Sequence, residues 1–301
     1  MLHDAAIVGG GPAGLSAAIW LARYLHDVVL VDSGDPRNWE TRGVNGYLGH
    51  PHIRPADLRR LGREECRRYG GKLVDGCVDR AVRRSDDCFE LGLENGDRYR
   101  ARRLLLAFGI RDAWPSIPGL GRVYGETAHV CPDCDGYESR GSTVVVVGSG
   151  RRAAGTALSL TTWTRRIALC THGEAPQLEP DLLAKLEALD IPVLTAPIAR
   201  VHERDGKLTQ LELAGGEQIA CDRLFFSIAQ YPSDDLGVQL GCDRDDDGQI
   251  IIDAHGHTSV HHVFAAGDVV PGPQLAITAA AGGAVAAMAI HKSLVPEGRK
   301  P

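Results

Sequence analysis

The chain is poor in aromatic residues, which make up 5% of its 301 positions, and it has only two methionines. It lacks a long basic run, and its formal charge is −6. Without a cationic stripe the surface offers no electrostatic footprint for nucleic acid or an anionic membrane. No apolar stretch reaches the about 20 residues that a bilayer span requires. A basic-then-apolar leader is missing too: the N-terminus enters a strand pattern at once, in "DAAIVGGG" from Asp4, which points to a cytoplasmic chain. The eight cysteines lack a disulfide framework. Cys66, Cys77 and Cys88 fall eleven apart, a spacing that matches no ligand or disulfide pattern, and only Cys131 and Cys134 are close together. Where thiols are kept reduced, such a pair is more often catalytic or metal-binding than a permanent staple. His50, His52, His255, His257, His261 and His262 sit in turn-rich segments without ligand spacing. They are surface or cofactor-pocket candidates, and no metal site is expected.

What is present is a weak internal repeat, in a chain long enough for two lobes. "AAIVGGGPAGLSAAIWLAR" is an apolar strand, a glycine turn and an apolar helix; "TVVVVGSGRRAAGTALSLTTW" has the same layout, 139 positions later by its first glycine. Each half then carries a hairpin signal, with Asn95-Gly96 and Gly215-Gly216 read as two-residue turns. Pro- and Gly-rich stretches at Ala113–Leu120 and Ala229–Gly237 read as linkers. A strand-rich return, "IIIDAHGHTSVHHVFAAGDVV", and a small-residue helix, "LAITAAAGGAVAAMAIHK", close the chain.

Gly9, Gly11 and Gly14 form G-x-G-x-x-G between strand and helix. The first glycine permits the tight turn, the second lets the backbone approach a pyrophosphate, and the third allows helix and strand to pack closely. The phosphates would meet the free N–H groups of the helix N-terminus. The next strand ends in Asp32, 18 residues beyond Gly14, where a carboxylate can accept from ribose hydroxyls. Together these predict dinucleotide binding. The second loop keeps Gly148, Gly150 and Ala153, but Arg151 and Arg152 open its helix, where cations oppose the dipole. Its next strand ends in Cys170, Thr171 and His172, with no acid for a ribose and no arginine cluster for a 2′-phosphate. The reading is an altered or lost nicotinamide site, against a retained one whose ribose contacts come from elsewhere.

Three readings compete for "HVCPDCDG", from His129 to Gly136. Zinc needs four ligands; His129 would add a third, and no obvious fourth follows. A structural disulfide across so short a loop removes little chain entropy. The redox reading gains from context. The pair lies at the junction of two dinucleotide-type lobes, a helix starting near Cys134 would lower a thiol pKa, and Asp135 can carry a proton. His129 and His50 are further candidate proton carriers.

These residues carry a resemblance. The chain resembles the low-molecular-weight thioredoxin reductases and the thioredoxin-reductase-like flavoproteins around them. "GGGPAG" (Gly9, Gly10, Gly11, Pro12, Ala13, Gly14) is similar to that family's FAD pyrophosphate loop. "AAGD" (Ala265 to Asp268, with Gly267) resembles its second FAD motif, whose aspartate meets the ribityl chain. "QLAIT" (Gln274, Leu275, Ala276 onward) resembles the segment beside the isoalloxazine ring, Gly109 of "AFG" falls in the motif before the first linker, and "CPDCDG" resembles its redox-active C-x-x-C-D-G. The resemblance implies an α/β fold of two Rossmann-like (βαβ) dinucleotide-binding domains of the FAD/NAD(P) disulfide-oxidoreductase type, the second inserted in the first. Residues 1–114 and 232–301 would form the FAD-binding domain, and 115–231 an NAD(P)-binding-like domain carrying C-x-x-C. It also implies a homodimer, with Cys134 facing flavin C4a, Cys131 exchanging with substrate and Asp135 as acid/base. In that chemistry a thiolate attacks a disulfide and the neighbouring thiol resolves the mixed disulfide.

The chain departs from the family in four places. The second loop reads "GSGRRA" where G-x-G-D-S-A is usual, and "CTHGEA" stands where a His-Arg-Arg cluster holds NADPH. Phe108 replaces threonine in "AFG", and Gly46 replaces asparagine in "NGYLGH". "CPxCxGYE", completed here by Tyr137 and Glu138, and the missing NADPH cluster are shared with a branch of dithiol oxidases of the gliotoxin and holomycin types. There electrons run from substrate dithiol to C-x-x-C disulfide, to FAD, to oxygen. The expectation is therefore an FAD-dependent thiol-disulfide oxidoreductase that works in the oxidase direction. The alternatives are an NAD(P)H-driven thioredoxin reductase, a ferredoxin-driven one, and a non-catalytic FAD-bound redox sensor. The substrate is a dithiol or disulfide on a small molecule or a thioredoxin-like protein.

Overall fold

The computed structural model of the protein describes residues 1–299. The chain divides into two compact units. The first opens with β1 (Leu2–Val8), α1 (Pro12–Arg23), β2 (Val28–Asp32), α2 (Pro55–Arg68), β3 (Lys72–Asp75), β4 (Val78–Arg83), β5 (Phe89–Leu93), β6 (Arg98–Leu106) and β7 (Ile110–Asp112). The second contains β8 (Ala128–His129), α3 (Pro132–Asp135), β9 (Val144–Val147), α4 (Gly150–Leu160), β10 (Ile167–Cys170), α5 (Pro180–Ala188), β11 (Val193–Leu194), β12 (Ile198–Arg204), β13 (Lys207–Leu213), β14 (Gln218–Ala220) and β15 (Arg223–Phe226). The chain then returns to the first unit with β16 (Gln230–Pro232), α6 (Leu236–Leu240), β17 (Val263–Ala265) and α7 (Ala276–Leu294).

In the first unit the sheet order is β3-β2-β1-β6-β5-β4. The β3-β2-β1-β6 part is parallel and the β6-β5-β4 part antiparallel. The long β6 forks: its first half pairs with β5 and its last residues pair in parallel with β17. Every residue of "VVLVD" in β2 is buried, as a strand covered on both faces requires. Alternation sorts the strands onto two cores: Ala5, Ile7, Val28 and Leu30 face α1 and α7, whereas Ala6, Val8, Val29 and Val31 join Phe89, Leu91 and Val263. The second unit repeats the plan with the parallel order β11-β10-β9-β15-β8 and a separate antiparallel sheet β12-β13-β14. "VVVV" in β9 is buried throughout. Two Rossmann-like α/β layers thus recur in one chain.

Several local expectations change. Both hairpins turn through three residues rather than two: Leu93 N–H donates to Asp97 O and Gly96 N–H to Leu93 O, and the Leu213–Glu217 pair closes the same way. Gly96 has φ 89° while Asn95 keeps a negative φ, so the Asn-Gly pair closes a bulged loop instead of a type I′ turn, which needs both central φ values positive. The strand-rich return contains one regular strand, β17; its other pairings are isolated bridges such as Arg244–Ile250 and His257–Phe264. The expected linkers contain paired backbone: Ala113 N–H donates to the Ala229 carbonyl at 2.9 Å, and β16, in the second linker, runs antiparallel to β7. Residues 40–45 belong to the second unit, where Arg42 pairs with Glu126.

Among the described residues α7, with 19 residues and a mean hydropathy of 1.2, meets the length and composition of a membrane span, which by itself is weak evidence for one. Its small residues serve close packing instead. A Cβ on Gly283 would lie 2.0 Å from the Ala13 carbonyl oxygen of α1, and Ala279, Ala286, Ala287 and Ile290 line the core beneath β1 and β2.

Candidate active site

The first glycine loop joins β1 to α1. Gly9 has φ 107°, and a Cβ there would come within 2.3 Å of the Ala107 carbonyl oxygen. Gly14 is equally constrained, because a Cβ would sit 1.9 Å from the Gly9 carbonyl oxygen. Gly11 differs. It caps α1 at φ −76°, a Cβ on it would meet nothing within 4 Å, and no side chain caps the helix. Pro12 occupies the first turn, where its missing N–H costs nothing. A helix start bounded by backbone and open at its second glycine is a cradle that suits a pyrophosphate. Gly267 is beside it, since its Cβ would touch Ala13 Cβ at 2.9 Å. The residues therefore fit FAD on this unit's own geometry. Gly109 has φ 73° and its carbonyl accepts from Ser233 N–H. Leu275 precedes α7, which starts at Ala276; Thr278 Oγ1 accepts from Leu275 N–H at 3.2 Å and donates to the Pro273 carbonyl.

Asp32, buried at the end of β2, is already engaged. Arg59 and Arg63 both donate to its Oδ2, and Gly34 N–H donates to Oδ1 at 3.1 Å. Arg63 Nη2 also meets Asp75 at 2.5 Å. The arginines stand four apart on α2, one helical turn, so they share a face. That spacing is visible in the sequence, but the partner carboxylate is not.

Asp268 adjoins, through Arg37, a ring of side chains that sequence reasoning does not find. Arg37 donates through Nε and Nη2 to both oxygens of Asp112, at 2.7 and 2.8 Å, and through Nη1 to Gln274 Oε1 at 2.9 Å and Asp268 Oδ2 at 3.4 Å. Gln230 Nε2 donates to Asp112 at 2.8 Å, and Gln274 Nε2 donates to Gln230 Oε1 at 3.1 Å, which closes the ring. Burial pushes the Asp268 carboxyl pKa up, the Arg37 guanidinium pulls it back, and Asp112 adds to the rise.

In the second unit Cys131 and Cys134 are joined in a disulfide, with Cα atoms 5.2 Å apart. Cys131 caps α3, and Cys134 N–H donates to its Sγ at 3.1 Å. Pro132 begins this short helix, Asn45 Nδ2 holds the Cys134 carbonyl at 3.1 Å, and Ser139 Oγ donates to the Asp135 carbonyl at 2.8 Å. Gly136 leaves room for Trp163, whose ring lies 2.5 Å from where a Cβ would be. His129 on β8 is buried; its Nδ1 lies 3.3 Å from Asp135 Oδ2, and its Nε2 is buried without a hydrogen-bond partner. The structure thus brings together Cys131, Cys134, Asp135 and His129. His50 is exposed and belongs to the first unit. No group of three or more His, Cys, Asp or Glu placed to hold a metal occurs among the described residues.

The second glycine loop is arranged differently from the first. Gly148 (φ 151°) approaches Ser227, whose carbonyl oxygen would meet a Cβ at 2.6 Å, and Ser227 Oγ is buried without a partner. The start of α4 is covered by the segment 171–179: Gly150 N–H donates to the Pro176 carbonyl at 2.8 Å. Arg151 pairs with Glu179 at 2.5 Å, so its charge is answered by the same segment. Arg152 is exposed.

The six other cysteines are free thiols, five of them buried and Cys77 half-buried. Burial raises the pKa of each, Cys66 to about 11 and Cys221 to about 12. After gentle reduction, a thiol-alkylating reagent at pH 8 is expected to label Cys131 and Cys134 first and Cys77 more slowly. The remaining five should stay unmodified in the native protein, as peptide mass mapping will show. Rapid labelling of Cys66 or Cys221 would contradict this arrangement.

The pattern of the pyridine nucleotide-disulphide oxidoreductases matches residues 3–283. Thioredoxin reductase tcpT of Claviceps purpurea is 30% identical over 278 residues, which are 88% of this chain and 86% of that one. The F component of the alkyl hydroperoxide reductase of Pseudomonas aeruginosa is 27% identical over 97% of this chain, but the chain spans only 58% of that relative's length. Among solved structures, HlmI superposes with a TM-score of 0.92 at 36% identity, covering 97% of this chain and 92% of its own.

Proposed function

We propose, from the premise that this chain belongs to the pyridine nucleotide-disulphide oxidoreductase family as a thioredoxin-reductase-like FAD flavoprotein, that it oxidises substrate dithiols to disulfides through Cys131 and Cys134, with oxygen as the final acceptor. Disulfide oxidoreductase chemistry is shared with the relatives; the direction, the acceptor and the residue roles are this proposal's own. In the forward reaction one substrate thiolate attacks Cys131 Sγ, the Cys131–Cys134 bond breaks, and Cys134 leaves as a thiolate. The second substrate thiolate then attacks the substrate sulfur of the mixed disulfide and Cys131 leaves. The Cys134 N–H at 3.1 Å favours that departure by donating to the sulfur as charge develops. Each turnover moves two electrons and two protons from the substrate to the pair. His129, whose Nδ1 lies 3.3 Å from Asp135 Oδ2, and Asp135 itself are the groups proposed to carry one of these protons. When bound, FAD would supply the two-electron chemistry that links the reduced pair to oxygen, with hydrogen peroxide as the product. Gly9, Gly11, Gly14 and Gly267 would hold its pyrophosphate and Asp268, Gln274, Leu275 and Ala276 would adjoin it, in residues 1–114 and 232–301.

The observation that carries the oxidase direction is the covered start of α4. The Gly150 amide that a second dinucleotide would need is held by the Pro176 carbonyl, and Arg151 by Glu179. A second reading, reduction by NAD(P)H, is favoured by the retained Gly148 turn and by the unpartnered Ser227 Oγ beside it. A cytoplasmic homodimer acting on a small dithiol or a thioredoxin-like protein completes the proposal. Anaerobic mixing separates the two directions. A dithiol such as dithiothreitol is expected to bleach the flavin stoichiometrically, NADPH and NADH to do so at least about a hundredfold more slowly, and air to restore the colour with one oxygen consumed per dithiol. Rapid stoichiometric bleaching by either nicotinamide would assign the chain to the reductases.

A further inference from the structure

The ring around Arg37 lies wholly within the first unit. It comprises a guanidinium, two carboxylates and two amides, and it joins the residue after the second FAD motif's glycine to the segment that opens α7. Asp112 is 1% exposed at its side chain and is satisfied by Arg37 through both oxygens. Arg37 also reaches Asp268 and Gln274, and Gln230 locks Asp112 to Gln274. A planar fork with a fixed charge can hold two carboxylates and an amide at once, whereas an ammonium cannot present the same geometry. One cation against a buried carboxylate, Asp112, and a half-buried one, Asp268, leaves the cluster dependent on it, because removing the cation strands the Asp112 charge in a poorly solvated place.

We propose that Arg37 is a positioning residue for the flavin: it holds the Asp268 carboxylate and Gln274 in place, and its charge favours the reduced cofactor. The inference rests on the reading that this unit holds FAD. Arg37 touches the residues that would meet the cofactor, and it is not assigned a contact with it. The added electrons give the reduced cofactor more negative charge, so a nearby cation binds that form more tightly than the oxidised one. Loss of the cation therefore lowers affinity for both forms, and for the reduced form most.

The test uses the full chain, loaded with FAD and stripped of it. Arg37→Gln is expected to weaken FAD binding at least tenfold by titration of the stripped protein. It should also make the flavin midpoint potential more negative; a tenfold loss of preference for the reduced form is about 30 mV for a two-electron couple. Arg37→Lys retains the charge without the fork, and is expected to preserve the potential while binding FAD more weakly. Arg37→Gln combined with Asp112→Asn removes one carboxylate with the cation. A purely structural role at Asp112 predicts that this pair binds FAD like wild type, and the proposal predicts that it does not. Wild-type affinity and potential in Arg37→Gln would overturn the inference, as would an unchanged affinity in Arg37→Lys should the glutamine variant not fold. A wild-type chain that refuses FAD altogether would instead overturn the reading beneath it.

Discussion

Cys134→Ser is expected to abolish turnover with any dithiol while FAD stays bound. The reaction needs a bond between two sulfurs 5.2 Å apart at Cα, and a hydroxyl cannot form it. With Cys131 alone, exchange with a disulfide stops at a mixed disulfide that has no resolving partner. The expected loss in kcat is at least on the order of a thousandfold, as for other enzymes that lose a covalently acting group. The cofactor should remain, because the cradle formed by Gly9, Gly11 and Gly14 lies in the first unit and the pair in the second. Stability should change little, since cross-linking so short a loop is worth only about 2 kcal/mol in chain entropy. Steady-state oxygen uptake, the flavin-to-protein absorbance ratio and a thermal melt check the three parts. Substantial turnover by Cys134→Ser would remove the pair from the mechanism.

Gly14→Val and Gly11→Ala should separate two kinds of damage to the same loop. At Gly14 the first added carbon would lie 1.9 Å from the Gly9 carbonyl oxygen and 3.3 Å from Ile7 Cγ2. Backbone must move, and neighbouring α7 limits that movement through the Gly283–Ala13 contact. The variant is expected to purify without flavin and to lose about 3 kcal/mol or more, the upper range for overpacking. At Gly11 the φ of −76° suits any residue and the added carbon meets nothing within 4 Å. The stripped Gly11→Ala protein should therefore melt like wild type, yet bind FAD at least about tenfold more weakly, because the backbone can no longer approach a pyrophosphate. Urea unfolding of the stripped proteins and FAD titration give both readings. Unimpaired FAD binding by Gly11→Ala would mean that the open space is not where the phosphates lie.

The contrast between these glycines shows how much of the fold can be read without coordinates. Strand, glycine turn and helix are local, so β1–α1 and β9–α4 can be recognised from short runs of residues. The short helix at the cysteine pair is only partly legible: the sequence points to a start near Cys134, but the helix starts at Pro132 with Cys131 as its cap. The hairpin loops are open to misreading because Asn-Gly and Gly-Gly permit either turn class, and strand register decides between them. The return after β16 resembles a run of strands because its apolar residues are buried by irregular chain rather than by a ladder. The tertiary partners leave no local signal. Nothing near Arg37 announces Asp112 or Gln274, 75 and 237 positions away. The segment over α4 is equally hidden: its sequence shows only what a nicotinamide site lacks, and folding supplies the Pro176 carbonyl that occupies the Gly150 amide.

In the proposed oxidase direction, the burial of the spare thiols bears on the enzyme's working life. A catalyst that releases an oxidant beside its own surface at every cycle is exposed to progressive sulfinic and sulfonic damage, and that damage begins at a thiolate. With a thiol pKa near 11 at Cys66 and near 12 at Cys221, fewer than about one in a thousand of these sulfurs is ionised at neutral pH. Wear should therefore fall on the two sulfurs that must remain reactive, so the number of cycles completed before inactivation would depend on how briefly they stay reduced.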